Sequence, residues 1–165
     1  YFTPNLKVVE YYVGYAKRRT ECESVIMIVL RIPNAAIQSL TKPEIQHLHW
    51  LSDVWKQMIW NCRRNNKLPK RLRVYKERAT LIISSISGKP NSGYVGLDTW
   101  EDITEDYLLK MKDGQRGNDG TIATQYAIQG RERDTEWLKE NGGKDIKVLP
   151  YPQAALESLI AENRD

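Results

Sequence analysis

Residues 121–129 place a polar amide on one face of a predicted strand, between two small residues. Apolar and polar side chains alternate here, as they do in a strand with one buried face. One face would carry Ile122, Tyr126 and Ile128, and the other Ala123, Gln125, Ala127 and Gln129. The alanines leave room for a ligand against Gln125, whereas a buried amide without a partner would be costly. Gln125 therefore meets either a second polar group of the chain or a ligand.

The first three residues combine two aromatic rings and a hydroxyl at the predicted start of a helix over 4–17. Thr3 is suited to cap this helix and Pro4 to its first turn. Four residues recur at helical spacing and predict its apolar face: Val9, Tyr12, Val13 and Ala16. Helix N-termini favour anions and aromatic rings stack on flat heterocycles, so the triplet suits a small ligand. The alternative is that Tyr1 and Phe2 are core residues.

Other constellations of reactive side chains are weaker. His47 and His49 fall on one face of a predicted strand over 45–50, but the sequence has no third His, and its two cysteines lack ligand spacing. We therefore predict no metal site. The sequence also shows no P-loop, no Rossmann turn and no nucleophile elbow.

The charges are distributed unevenly along the 165 residues, whose net charge is +4. Segment 56–78 holds nine basic residues and one acid, and segment 98–106 holds five acids and no base. Such blocks are commonly solvated faces. The basic one also suits a nucleic acid or another anionic partner, with four residues contacting phosphates: Lys67, Lys70, Arg71 and Arg73.

Composition excludes several classes of protein. No stretch of about 18 apolar residues exists, so we predict no membrane span. Two cysteines, Cys22 and Cys62, do not form a disulfide framework, and reduced thiols favour a cytoplasmic location. The 41 % hydrophobic and 28 % charged content is typical of one globular domain.

The remaining patterns predict an α+β fold, because strands and helices alternate without a strict βαβ rhythm. Segments 25–30 and 79–86 are short and β-branched, which predicts strands buried on both faces. Ser52 would cap a helix through about Asn65, with Trp55, Met58, Ile59 and Cys62 on its inner face. Further elements are an acidic helix capped by Thr99, a helix over 134–140, a strand over 145–149 and a terminal helix over 154–162.

Four motifs in order resemble proteins of the ADP-ribosyltransferase-like superfamily, including fungal and small bacterial members. They are Tyr1-Phe2-Thr3 with the following helix; Trp55 followed by Trp60-Asn61-Cys62-Arg63; the strand Thr80 to Ile86; and Gln125-Tyr126-Ala127-Ile128-Gln129 before a helix with Glu136-Trp137-Leu138. The resemblance implies a split antiparallel β-sandwich with flanking helices over 1–165. The family's first strand, which carries a His or Arg, would precede Tyr1, so we expect a domain without that strand.

The resemblance also implies a site and a reaction. NAD would be the cofactor, as the substrate of transfer, and the acceptor a protein or a nucleic acid. Tyr1, Phe2 and Thr3 would flank the nicotinamide on a helix that carries Tyr12. Gln125 would meet the ribose at the catalytic position, and Arg63 or its neighbour Arg64 the diphosphate. Gln125 stands where such transferases carry Glu, so the implied function is either ADP-ribose transfer or NAD binding alone.

Overall fold

The computed structural model describes residues 1–20, 22, 24–112, 115–117 and 120–151, and it confirms a mixed α+β protein. The described helices are α1 (Leu6–Thr20), α2 (Asn34–Gln38), α3 (Asp53–Arg63), α4 (Val74–Glu77), α5 (Ser92–Val95) and α6 (Glu132–Gly142). The strands are β1 (Ile26–Val29), β2 (Ile45–Leu48), β3 (Leu81–Ser85), β4 (Lys110–Lys112), β5 (Gln115–Arg116), β6 (Thr121–Ile122), β7 (Thr124–Ile128) and β8 (Lys147–Pro150). Short 3-10 helices cover Lys70–Leu72, Trp100–Asp102, Glu105–Tyr107 and Gly143–Asp145. The predicted helix over 154–162 lies outside the described residues.

The central sheet has the strand order β2-β3-β7, and β3 is its middle strand. β3 pairs parallel with β2 and antiparallel with β7. The predicted strand over 121–129 is divided at Ala123, since β6 pairs with β4 in a second three-stranded sheet while β7 joins β3. The backbone of Ala123 connects the two sheets by donating to Leu109 O and accepting from Ile86 N.

Two apolar clusters form the core. The first joins α3 to the central sheet, and its buried members include Leu48, Trp55, Met58, Ile82 and Ala127. The second joins α1 to the second sheet, and its buried members are Val8, Ile86, Leu109, Met111 and Ala123. Burial of these side chains is the main favourable term of folding. The clusters therefore hold α3 against the central sheet, and α1 against the second sheet and the segments that lead into it.

Helix α3 begins as predicted, and of its predicted inner face only Cys62 lies elsewhere, since Ile59 also packs against the core. Ser52 accepts a hydrogen bond from Trp55 N at 3.2 Å, which confirms the cap. Trp55 and Met58 are buried, but Cys62 is exposed, so its assignment to the inner face was wrong. Its place is taken by Asn61, which donates to Gln57 O at 2.7 Å. A buried amide becomes acceptable when its polar atoms have partners, which periodicity alone does not reveal.

Helix α1 begins two residues later than predicted. Asn5 Oδ1 accepts from Lys7 N at 2.9 Å, so Asn5 provides the capping oxygen. Thr3 Oγ1 instead accepts from Asn5 N at 3.3 Å, one turn before the helix. The buried side of α1 carries Val8, Val13 and Gly14, whereas Tyr12 is exposed. Of the predicted apolar face, Val13 is confirmed as buried and Tyr12 was wrong, and Val8 instead contacts the core.

The first predicted strand is not buried on both faces. Within the described ranges, β1 pairs with β8 alone, in a two-stranded ribbon. Ile26 and Ile28 are 55 % and 53 % exposed, and Val148, opposite Ile28, is 57 % exposed. An apolar, β-branched run predicts a strand, but it does not determine how many neighbours the strand has. The prediction of a core strand is corrected to an exposed ribbon.

The acidic segment after Thr99 forms two 3-10 helices rather than one α-helix. Thr99 caps the first of them, and Asp102 Oδ2 accepts from Thr99 N at 3.0 Å to complete a capping box. Ile103 between the two turns is buried. None of the helices in the described ranges has the length and apolar character that crossing a bilayer requires.

Candidate functional site

Gln125 makes a specific contact with a neighbouring strand. Gln125 and Ser84 are directly opposite in the antiparallel pair of β3 and β7. Gln125 Nε2 donates to Ser84 Oγ at 3.0 Å, and Ser84 is buried while Gln125 is half-buried. The sequence left open whether Gln125 meets a polar group of the chain or a ligand. The structure shows the first of these, a hydrogen bond to Ser84. The carboxamide oxygen of Gln125 has no partner among the described residues.

The Ser84–Gln125 pair lies between the two apolar clusters. Alternation along the strands places Ile82 and Ala127 on the same face as this pair, and both belong to the first cluster. Ile86 and Ala123 follow on the other side and belong to the second cluster. Ala123 and Ala127 are both buried against hydrophobic side chains, so the room for a ligand that the sequence predicted over these alanines is filled, and a ligand would reach Gln125 only from its exposed part. The half-buried carboxamide of Gln125 thus lies between the cluster that contains residues of α3 and the cluster that contains Val8 of α1.

The amino-terminal triplet lies beside this strand. Phe2 N donates to Tyr126 O at 2.9 Å, and Tyr126 N donates to Phe2 O at 2.7 Å. Alternation then places the side chains of Tyr1 and Thr3 on the face of Gln125, and that of Phe2 on the face of Tyr126. Tyr1 is 90 % exposed. The structure thus brings the triplet and the Gln125 strand together, with Thr3 rather than Phe2 on the shared face.

Tyr12 and Arg63 occupy other surroundings. The Tyr12 ring meets Tyr11 and Tyr15 edge to face, with centroids 5.4 and 6.5 Å away. The Arg63 guanidinium donates to Asn91 Oδ1 at 3.1 Å, and so connects the end of α3 to the loop after β3. Arg64 donates to three backbone carbonyls around the end of α5. Both arginines are thus engaged within the protein, and a ligand would share or displace these contacts.

The basic segment divides into engaged and free side chains. Lys56 contacts Glu101 O and the Trp50 ring, and Arg73 Nε donates to Leu68 O at 3.2 Å. An open cleft of about 560 Å³ lies further along, lined by Lys70, Arg71, Val74, Glu77 and Arg78. Lys67, Lys70 and Arg78 are exposed and have no ion pair or hydrogen bond from their side chains within the described ranges.

A buried carboxylate joins this region to α6. Asp134 accepts from Thr80 Oγ1 at 2.8 Å, from Arg131 Nε at 2.5 Å and from Arg133 Nε at 3.3 Å. Burial raises the pKa of Asp134, but the hydrogen bonds from Arg131 and Thr80 and the charges of both arginines outweigh burial. The pKa of Asp134 is therefore held below its ordinary value. This cluster connects the beginning of β3 to the first turn of α6.

The described residues contain no group of three or more side chains suited to a metal ion. His47 and His49 are both exposed, and their ring centroids are 5.6 Å apart. The predicted alternation along β2 is confirmed, because Leu48 is buried. The histidines thus share the outward face of an edge strand.

Sequence reasoning missed Ser84, which provides the hydroxyl opposite Gln125. The available signal was a pair of serines in a strand predicted to be buried, because a buried hydroxyl requires a partner. Ser85, its neighbour, accepts from Trp50 N at 3.0 Å. Sequence reasoning also missed Arg131 and Arg133. Their side chains donate to the carbonyls of Ala79 and Arg78, so both lie beside the end of the basic segment.

Comparison with known proteins gave no match, whether with family models, curated proteins or solved structures. The fold and site therefore define a mixed α+β protein with a polar cross-strand pair between two apolar clusters and a separate basic cleft.

Proposed function

We propose that this chain is an NAD-binding domain of the ADP-ribosyltransferase-like type, with its ligand at the exposed part of Gln125, beside the amino-terminal triplet. The observation that supports this most is the backbone bridge between Phe2 and Tyr126. It brings the aromatic and hydroxyl triplet beside the strand of Gln125, which is the arrangement that the resemblance implies. Residues far apart in sequence thus come together at one edge of the sheet.

Each group at this place has chemistry that suits the ligand. The carboxamide oxygen of Gln125 can accept a hydrogen bond from a ribose hydroxyl, while Nε2 remains bonded to Ser84. The exposed ring of Tyr1 offers a flat apolar surface for the nicotinamide. The Thr3 hydroxyl, on the Gln125 face, can donate to the ligand. Together these groups would bind the nicotinamide riboside half of NAD.

The split sandwich is part of the same proposal. The central sheet β2-β3-β7, extended by Phe2, would form one half, and the small sheet β5-β4-β6 the other. Their connection through Ala123 supports this assignment, because one continuous segment contributes a strand to each sheet. The parallel pairing of β2 with β3 departs from a purely antiparallel arrangement.

Transfer of ADP-ribose would break the bond between the ribose and nicotinamide and create positive charge on the sugar. A carboxylate stabilises such charge, whereas the neutral amide of Gln125 does not. We therefore propose binding as the main function, with weak transfer to a protein or nucleic-acid acceptor. Gln125→Glu should increase nicotinamide release if the ligand lies as described. An unchanged rate in a variant that still binds NAD would exclude the proposed position of the ribose.

Isothermal titration calorimetry with NAD tests the proposal directly. We expect binding to the native chain and a loss of affinity of about tenfold in Gln125→Ala, which removes one hydrogen bond of about 1.4 kcal/mol. Gln46→Ala is the matched control. Gln46 is also half-buried in a strand and makes a side-chain hydrogen bond, to Pro43 O at 3.0 Å. No heat of binding at millimolar NAD, or equal losses in both variants, would reject the site.

A further inference from the structure

The structure assigns the charges of the basic segment to two different roles. Four of the nine basic side chains hold parts of the fold together, by contacts with backbone carbonyls, an amide or a ring: Lys56, Arg63, Arg64 and Arg73. A charged side chain that is engaged in this way loses those contacts if it turns to an external partner. The segment as a whole is thus not a uniform basic surface.

Three other cations converge on the open cleft. Lys70, Arg71 and Arg78 line it, and all three are exposed. Arg71 is partly engaged, because its Nη2 donates to Gln57 Oε1, while Lys70 and Arg78 are free of side-chain partners in the described part of the chain. Glu77 is the single carboxylate among the described residues that line the cleft, and no ion pair joins it to Lys70 or Arg78. The cleft is therefore positively charged.

The start of helix α6 lies beside this cleft and brings two arginines, Arg131 and Arg133, together with two carboxylates, Glu132 and Asp134, so it adds no net charge. Arg133 Nη2 donates to Arg78 O at 2.6 Å, and Arg131 donates to the carbonyls of Glu77 and Ala79. Asp134 is fully buried and already bonded to both arginines, so its charge is compensated locally. It therefore leaves the positive charge of Lys70 and Arg78 available.

We propose that this cleft binds the phosphate backbone of a nucleic-acid strand. Lys and Arg side chains without internal partners neutralise phosphates and release counterions, which is the main source of sequence-independent affinity. The described residues that line the cleft include no aromatic ring on which a base could stack, so the proposed contacts are to phosphates rather than to bases. This site shares no residue with the proposed NAD site, so a result that rejects one of the two proposals does not reject the other.

Fluorescence anisotropy with a labelled single-stranded oligonucleotide tests this inference. The native chain should bind at low salt, with affinity that decreases as salt rises. Each phosphate contact contributes about 0.7 to the slope of log K against log salt for single strands, so Lys70→Gln with Arg78→Gln should reduce that slope by about 1.4. The matched control is Lys67→Gln with Lys76→Gln, which removes the same charge from the same segment outside the cleft lining.

The outcomes separate the cleft from general charge. A reduced slope in the cleft variant alone supports the inference, and equal reductions in both variants overturn it. Absence of binding by the native chain at low salt also overturns it, as does binding of inorganic tripolyphosphate without binding of the oligonucleotide. Urea unfolding of each variant verifies the fold. If the double variant is unstable, Lys70→Gln alone serves, because the Lys70 side chain has no partner among the residues that the structure describes. An NAD titration of the cleft variant should match that of the native chain.

Discussion

Replacement of Asp134 by Asn tests how the first turn of α6 is attached to the central sheet. The carboxylate is fully buried and accepts hydrogen bonds from Thr80 and from two arginines. Asn has nearly the same shape, and its one oxygen can still accept from Thr80. It removes the negative charge and an acceptor, so the arginines lose their ionic partner while the packing is kept.

The expected magnitude follows from the exposure of the partners. Removing one member of a fully buried ion pair costs about 3–5 kcal/mol. The side chains of Arg131 and Arg133 remain 31 % and 55 % exposed, so water can solvate them in the variant. A hydrogen bond to a charged group contributes about 1.5–3 kcal/mol. We therefore expect Asp134→Asn to lower the free energy of unfolding by about 2–3 kcal/mol.

Urea denaturation followed by circular dichroism measures this change, as a shift of the midpoint at an unchanged slope. Glu136→Gln is the control, because it makes the same chemical change at an exposed position of the same helix. We expect its effect to stay within about 0.5 kcal/mol. If Asp134→Asn changes stability no more than this control does, the ion cluster does not stabilise the attachment of α6, and the reasoning is wrong.

Two further predictions concern stability. The pKa of Asp134 is lowered in the folded state from 3.8, so its ionised form stabilises the protein above that pH, and this contribution is lost as the pH falls below it. Urea midpoints should therefore decrease more between pH 4 and pH 2 in the native chain than in Asp134→Asn. Parallel decreases in the two proteins would contradict the assignment. Gly120→Ala would place a Cβ 2.5 Å from the backbone carbonyl carbon of Met111, so we expect the free energy of unfolding to fall by about 1–3 kcal/mol in the same assay. At Gly96 an added Cβ would meet no atom within 4 Å, so Gly96→Ala should be neutral or slightly stabilising. Equal effects of the two glycine replacements would contradict the close approach of β6 to β4.

Several local features could be predicted because their causes are local. Ser52 precedes a run with helical periodicity, and a side-chain cap depends only on residues within the first turn. The alternation along 121–129 likewise predicted which side chains share a face with Gln125, because the side-chain period of a strand is two. The resemblance to ADP-ribosyltransferase-like proteins stays a prediction, as does the NAD site that it implies.

Other features depended on contacts between distant segments. The apolar run from Val25 to Leu30 predicts a core strand, yet pairing with β8 leaves Ile26 and Ile28 exposed. The hydroxyl that meets Gln125 comes from Ser84, 41 residues earlier, and no local pattern indicates that pairing. Likewise, Cys62 fits a helical stripe but lies on the exposed side of α3.

The sequence by itself determined the α+β class, the start of α3 and the face on which Gln125 lies, because helical and strand periods and end caps act over a few residues. Only the tertiary structure decided that Phe2 pairs with Tyr126, that Ser84 meets Gln125 and which cations remain free at the cleft. These contacts depend on the order of the strands in the sheets and on how the chain connects them. Both are set by burial of the whole core rather than by any one segment.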